Sequence, residues 1–104
     1  MINFFKRLFG TEAKPDLKLL IDEGAYLVDV RTPQEYAQSK VKGSVNIPLD
    51  SLSSQLAKFK DRKHIIVFCR SGNRSSQAKS ILDRNGFLNV VNGRTSDNVK
   101  QFVK

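Results

Sequence analysis

Residues 65–75, IIVFCRSGNRS, set the longest unbroken apolar run in the chain directly against a short polar and basic loop. Ile65, Ile66, Val67 and Phe68 combine β-branched and aromatic side chains, with charged residues before them and a Ser/Gly/Asn cluster after. That pattern predicts a buried strand that stops abruptly. Five apolar residues fall far short of the ~20 needed to cross a bilayer as a helix. From Ser75 onward Ala78, Ile81 and Leu82 share one helical face, and Asn85-Gly86 supplies a stop. Strand, tight loop, helix is therefore the unit around which the chain must fold.

The same unit recurs on either side. Pro15 and Asp16 open a helix with Leu17, Leu20 and Ile21 on one face and Gly24 as its end. Residues 25–30, AYLVDV, read as a strand covered on both faces. Thr32, Pro33 and Glu35 are N-cap, first helical residue and capping-box carboxylate of a short helix reaching about Ser39. After a turn at Lys42-Gly43, residues 44–47 form a short strand that Pro48 ends. Asp50 or Ser51 is expected to cap a helix with Leu52, Leu56 and Phe59 as its buried stripe. A loop at 60–63, a strand at 88–91 and a helix at 97–103 complete the reading. Strands alternating with helices over short connections predict an α/β fold with a parallel sheet and helices on both faces.

At 104 residues there is room for one domain, expected over 13–104 behind an N-terminal segment, 1–12. Residues 1–10, MINFFKRLFG, have Ile2, Phe5 and Phe9 at helical spacing but lack the order of a secretory signal. They read as a helix packed on the domain, with a weak membrane contact or a disordered tail as alternatives. A single cysteine and a single histidine provide neither an intrachain disulfide nor a structural zinc set, so no metal or cofactor is expected. A free thiol suits a reducing compartment, the cytoplasm. The 18 Lys and Arg against 10 Asp and Glu are dispersed, with no basic block. They read as solvated surface, and no nucleic-acid partner is expected.

Cys69 falls at the carboxyl end of the central strand, where open parallel sheets bind their ligands. A loop of small residues entering a helix turns backbone N–H groups inward and makes an anion cradle, and Arg70 and Arg74 add positive charge. Each effect favours thiolate over thiol, so Cys69 is expected to be a ready nucleophile with a pKa below the free value of ~8.5. A lone cysteine ending an apolar strand can also be a small buried hydrophobe. A structural turn, however, needs neither two arginines nor a Gly between hydroxyl and amide side chains.

Three segments together resemble the single-domain rhodanese (thiosulfate sulfurtransferase) family: 27–36, LVDVRTPQEY; 42–48, KGSVNIP; and 66–75, IVFCRSGNRS. They stand in the family's order and spacing, and the likeness spans about 13–103. The resemblance implies a parallel sheet of about five strands wrapped by helices, with the cysteine loop as active site. It implies that the Cys69 thiolate takes the outer sulfur of thiosulfate, or of another persulfide donor, and passes it as a persulfide to cyanide, a thiol or a protein acceptor. Arg70, Ser71, Gly72, Asn73, Arg74 and Ser75 would hold the persulfide and the donor. Glu35 is expected to tie down Arg74, while Asp29 and Arg31 brace or line the pocket.

Four residues separate Cys69 from Arg74, whereas phosphatases with a cysteine loop have five; the tighter loop suits a sulfur atom. The chain departs from the family pattern at Lys40, commonly histidine, and at Gly93-Arg94, often Gly-Gly followed by Trp. His64 begins a strand at the end away from Cys69 and reads as a surface residue rather than a base. The alternative to an enzyme is a noncatalytic rhodanese-like module that binds or regulates a partner; retention of Cys69 and its loop favours the enzyme.

Overall fold

A computed structural model describes residues 15–104; the expectations for residues 1–12 lie outside them. Helix α1 (Leu17–Asp22) starts where the Asp16 carboxylate accepts from the N–H of Leu19 and ends at Gly24, whose φ of +90° few other residues adopt. Strand β1 (Tyr26–Asp29) leads to α2 (Pro33–Gln38), whose capping box is complete: Thr32 Oγ1 accepts from the Glu35 N–H, and Glu35 accepts from that of Thr32. Strand β2 (Val45–Asn46), a 3₁₀ segment (Leu49–Phe59), β3 (Ile65–Cys69), α3 (Asn73–Arg84), β4 (Val90–Thr95) and α4 (Ser96–Lys100) follow.

The described strands form one parallel sheet in the order β2-β1-β3-β4. The fold class is thus the expected one, with four strands among the described residues. Alternation along β3 decides the two cores. Ile65, Val67 and Cys69 face the 3₁₀ segment and α3, packing with Val28, Val30, Leu52, Phe59 and Leu82; Ile66 and Phe68 face α1 and α4, packing with Leu17, Leu27 and Val99. Every β3 residue is buried. Burying side chains of this size contributes about 1.5–3 kcal/mol each, which makes β3 the anchor of the sheet.

Several boundaries differ from the sequence reading. The segment after Pro48 is 3₁₀ with a break at Gln55, and neither Asp50 nor Ser51 caps it; Leu49 already begins the helix, and Ser51 Oγ donates to the Pro48 carbonyl. Leu52 and Phe59 are nonetheless its buried residues. The last strand runs over Val90–Thr95 rather than 88–91. Leu88 is left exposed, and the polar stretch Asn92-Gly93-Arg94 continues the pairing past an irregularity opposite Val67 and Phe68. Side-chain patterning cannot announce such a strand, because backbone pairing with β3 holds it. The last helix likewise ends at Lys100 rather than 103.

The dipeptide Gly93-Arg94 has a geometric explanation. A Cβ at Gly93 would lie 2.7 Å from Val99 Cγ2 and 2.8 Å from Ile66 Cγ2, so only glycine fits. Arg94 has φ +73°, a left-handed conformation that costs a non-glycine residue about 1–2 kcal/mol. The Asn92 side chain supports it by accepting from the Arg94 N–H at 2.8 Å.

Candidate active site

From β1 the chain moves outward to β2, then returns on the other side of β1 to lay down β3 and β4. The carboxyl ends of β1 and β3 therefore flank the point where strand order reverses, and a crevice opens there in sheets of this kind. Asp29 ends β1, and Cys69 ends β3.

Gly72 decides the shape of the loop after Cys69. Its φ of +96° turns the chain at once, and α3 begins at Asn73, two residues earlier than the apolar spacing predicts. Asn73, Arg74 and Ser75 are thus the first turn of a helix, whose N–H groups have no intrahelical partner. The N–H of Gly72 donates to Cys69 Sγ at 3.0 Å, and that of Ser75 at 3.4 Å. Ser75 Oγ stands 3.6 Å from the sulfur and can also donate to the carbonyls of Gly72 (3.1 Å) and Arg94 (3.3 Å). As a thiol, Cys69 donates to this hydroxyl; as a thiolate, it accepts from it.

Burial pushes the Cys69 thiol up, but the Ser75 hydroxyl and the N–H groups of Ser75, Gly72 and Ser71 outweigh it and bring it below the ordinary thiol value. The direction is the expected one; hydrogen bonds are its largest favourable causes, and the Arg74 charge also interacts with the sulfur. Ser71 and Asn73 have exposed side chains, and Ser71 acts through its backbone.

Openness is where the structure corrects the sequence reading. Cys69 is expected as a ready nucleophile in a pocket that attracts anions, but its side chain has no solvent exposure. The reason is the same tight turn: the loop that hydrogen-bonds the sulfur also closes over it, and Cys69 packs in the buried cluster that contains Val30.

The three arginines are placed differently. Arg74 donates to both Glu35 oxygens, at 2.7 and 3.0 Å, tying the first turn of α3 to α2. The Arg74 guanidinium, with help from Thr32, lowers Glu35 to about 2. Arg31 is buried; its Nε and Nη2 grip the Asp29 carboxylate at 2.7 to 3.0 Å, and Nη2 also donates to the Ser39 carbonyl. It braces the end of β1. Arg70 is exposed and, among the described residues, has no carboxylate within ion-pair distance. Arg31, Glu35, Arg70 and Asp97 lie along a polar cleft of about 270 Å³.

Three contributors escaped the sequence reading. Val30 is the same-face neighbour of Cys69 by the register of β1 on β3. The Arg94 carbonyl accepts from Ser75. Asn46 donates to the carbonyls of Asp29 and Arg31, holding the end of β1 in place. Val30 and Asn46 stand within the segments that carry the resemblance, and Arg94 within the departure beside Gly93, but none was singled out for the site. His64 is half-buried and pairs with Glu23 at 2.7 Å at the amino-terminal end of β1 and β3, the end away from the loop. No group of three or more His, Cys, Asp or Glu among the described residues is arranged to hold a metal.

A parallel α/β sheet with a cysteine cradled at its switch point defines a class, and comparison agrees with it. The rhodanese-like domain family matches residues 13–94, and the chain belongs to that family. Within it, the chain is similar to single-domain sulfurtransferases. It is 39% identical over 67 residues to the thiosulfate sulfurtransferase PspE of Escherichia coli K12, a match covering 62% of this chain and 64%, slightly less than two thirds, of PspE. It is 34% identical over 86 residues to the thiosulfate sulfurtransferase GlpE of Pseudomonas savastanoi pv. phaseolicola, covering 83% of this chain and 77% of GlpE. Among solved structures, the human single-domain sulfurtransferase TSTD1 superposes with a TM-score of 0.65 at 30% identity, over 79% of this chain and 84% of that one.

Proposed function

We propose that this protein is a sulfurtransferase that moves sulfane sulfur from thiosulfate, or another persulfide donor, to a thiophilic acceptor through a persulfide on Cys69. The observation that carries this reading is the pair of backbone donors at 3.0 and 3.4 Å from Sγ, joined by the Ser75 hydroxyl. They favour the thiolate as nucleophile and can hold a negatively charged persulfide without rearranging first. The Cys69 thiolate attacks the outer sulfur of thiosulfate; a Cys–S bond forms, the S–S bond of the donor breaks, and its electron pair leaves on sulfite. An acceptor thiolate or cyanide then takes the terminal sulfur and returns Cys69 to thiolate.

Arg70, the arginine of the cysteine loop that has no carboxylate within ion-pair distance among the described residues, draws in the anionic donor. Arg74 is positioned by Glu35, and the Asp29–Arg31 pair with Asn46 keeps the neighbouring strand end rigid. Because Cys69 is covered, loop side chains must yield for the donor to reach the sulfur. The chemistry calls for no cofactor, and a free thiol of this kind suits the cytoplasm.

The covered sulfur also favours a second reading, a noncatalytic rhodanese-like module that binds or regulates a partner. One experiment separates the two. The protein is incubated with thiosulfate and weighed intact, then given cyanide while thiocyanate is followed, with Cys69→Ser alongside. Gain of one sulfur, its loss to cyanide and the silence of the variant are expected. No mass gain and no thiocyanate, with thiosulfate or with an organic persulfide as donor, would turn the reading to the binding module instead.

A further inference from the structure

A second cavity lies beside the cysteine loop, on the side of β1 and β2, with Cys69 itself behind its lining residues. It measures about 510 Å³ and is lined by Val30, Pro33, Pro48, Leu49 and Arg74, with Thr32, Asp50 and Ser51 as the polar part of its wall. Two of these connect it to the chemistry. Val30 is the neighbour of Cys69 on the same face of the sheet, and Arg74 belongs to the cysteine loop. The volume lies in the range of pockets that enclose organic molecules and greatly exceeds what thiosulfate, sulfite or cyanide would fill. Its wall is mainly aliphatic and prolyl, which suits hydrocarbon rather than an inorganic anion.

The charges point the same way. Arg74 is neutralised by its two hydrogen bonds to Glu35. The remaining formal charge is the exposed Asp50 carboxylate, which makes no capping hydrogen bond. A carboxylate disfavours an acceptor with an anionic tail.

Resting on the sulfurtransferase reading, we infer that this cavity is an acceptor subsite for a small organic thiol with an uncharged apolar body, and that Leu49 and Asp50 set its specificity. The acceptor's hydrocarbon lies against Val30, Pro33, Pro48 and Leu49, and its thiolate is presented from the β1 side toward the persulfide. The thiolate sulfur forms a bond to the terminal sulfur of the Cys69 persulfide, the bond from that sulfur to Sγ breaks, and the electron pair stays on Sγ. An organic persulfide leaves and Cys69 is again a thiolate, with no oxidant or reductant consumed.

The test loads the enzyme with thiosulfate and measures kcat/KM for the series of n-alkanethiols from ethanethiol to hexanethiol, whose thiols have nearly equal acidity, with cyanide as reference acceptor. Buried methylenes predict a rise of about threefold for each added carbon until the cavity is full. A thiol of the same length ending in a carboxylate should be slower than its methyl-ended counterpart at low salt, and Asp50→Asn should narrow that gap. Leu49→Ala should lower the ratio of hexanethiol to cyanide kcat/KM, a ratio unaffected by loss of folded enzyme; the Asp50→Asn arm does not depend on that variant folding. A flat series, a preference for the carboxylate-ended thiol, or reaction with protein thiols alone would overturn the acceptor subsite while cyanide turnover left the sulfurtransferase reading standing. Failure to form any persulfide would overturn that reading and the subsite with it.

Discussion

The hydroxyl of Ser75 can serve three partners, the sulfur of Cys69 and the carbonyls of Gly72 and Arg94, with a single proton. Its allegiance therefore follows the charge on sulfur. With the thiolate formed, donation to sulfur is the stronger bond, since hydrogen bonds to charged groups contribute about 1.5–3 kcal/mol. Removing it in Ser75→Ala leaves burial less opposed, so the Cys69 pKa moves up. The ultraviolet absorbance of the thiolate should titrate at higher pH in the variant. Persulfide formation at neutral pH should fall about tenfold, the kinetic equivalent of losing one such bond. An unchanged titration would assign the depression of Cys69 to the backbone donors alone.

At the scale of the element, β4 shows how two adjacent residues can obey opposite rules. Gly93 is compelled by packing, because Val99 and Ile66 occupy the space of a side chain. Gly93→Ala should destabilise the fold by about 1–3 kcal/mol, as overpacking does. Arg94 sits in a conformation that glycine tolerates better, with its side chain exposed. Arg94→Gly should stabilise by up to about 1 kcal/mol, the relief of backbone strain being partly offset by the greater freedom of glycine in the unfolded chain. Urea unfolding of both variants checks the two signs together. The Arg94 carbonyl faces Ser75, so the same bulge that creates strain also supports the cysteine loop.

At the scale of the molecule, the Glu35–Arg74 pair joins α2 to α3 across the mouth of the site and makes stability depend on pH. Glu35 titrates near 2 in the fold against an ordinary 4.5, a depressed value. Its stabilisation is therefore complete above pH 4.5 and is lost as pH falls through the folded value. For a pair still partly in contact with solvent the effect is about 1–2 kcal/mol. Glu35→Gln keeps a capping acceptor for Thr32 but removes the charge. Wild type should melt above the variant at neutral pH, and the difference in Tm should shrink as pH approaches 2. A constant difference would mean that shape rather than charge links the two helices.

The order of helices and strands, the capping box at Thr32 and Glu35, the central place of residues 65–69 and the cysteine loop were all legible along the chain. Each is declared by local rules: alternation and β-branching in β3, side-chain oxygens spaced to meet the first N–H groups of a helix, and glycine where the backbone must turn. The path of β4 was not legible, because Asn92, Gly93 and Arg94 have no strand pattern and are held by pairing with Val67 and Phe68. Nor was the sealing of Cys69, its contact with Val30, or the cavity beyond it. Solvent access and cavity shape depend on how elements distant in sequence approach one another, and no local propensity encodes that distance. The residues of the cysteine loop were written in the sequence; whether the sulfur meets solvent, and which side chains share its face of the sheet, were decided only when the sheet brought β1 and β3 side by side.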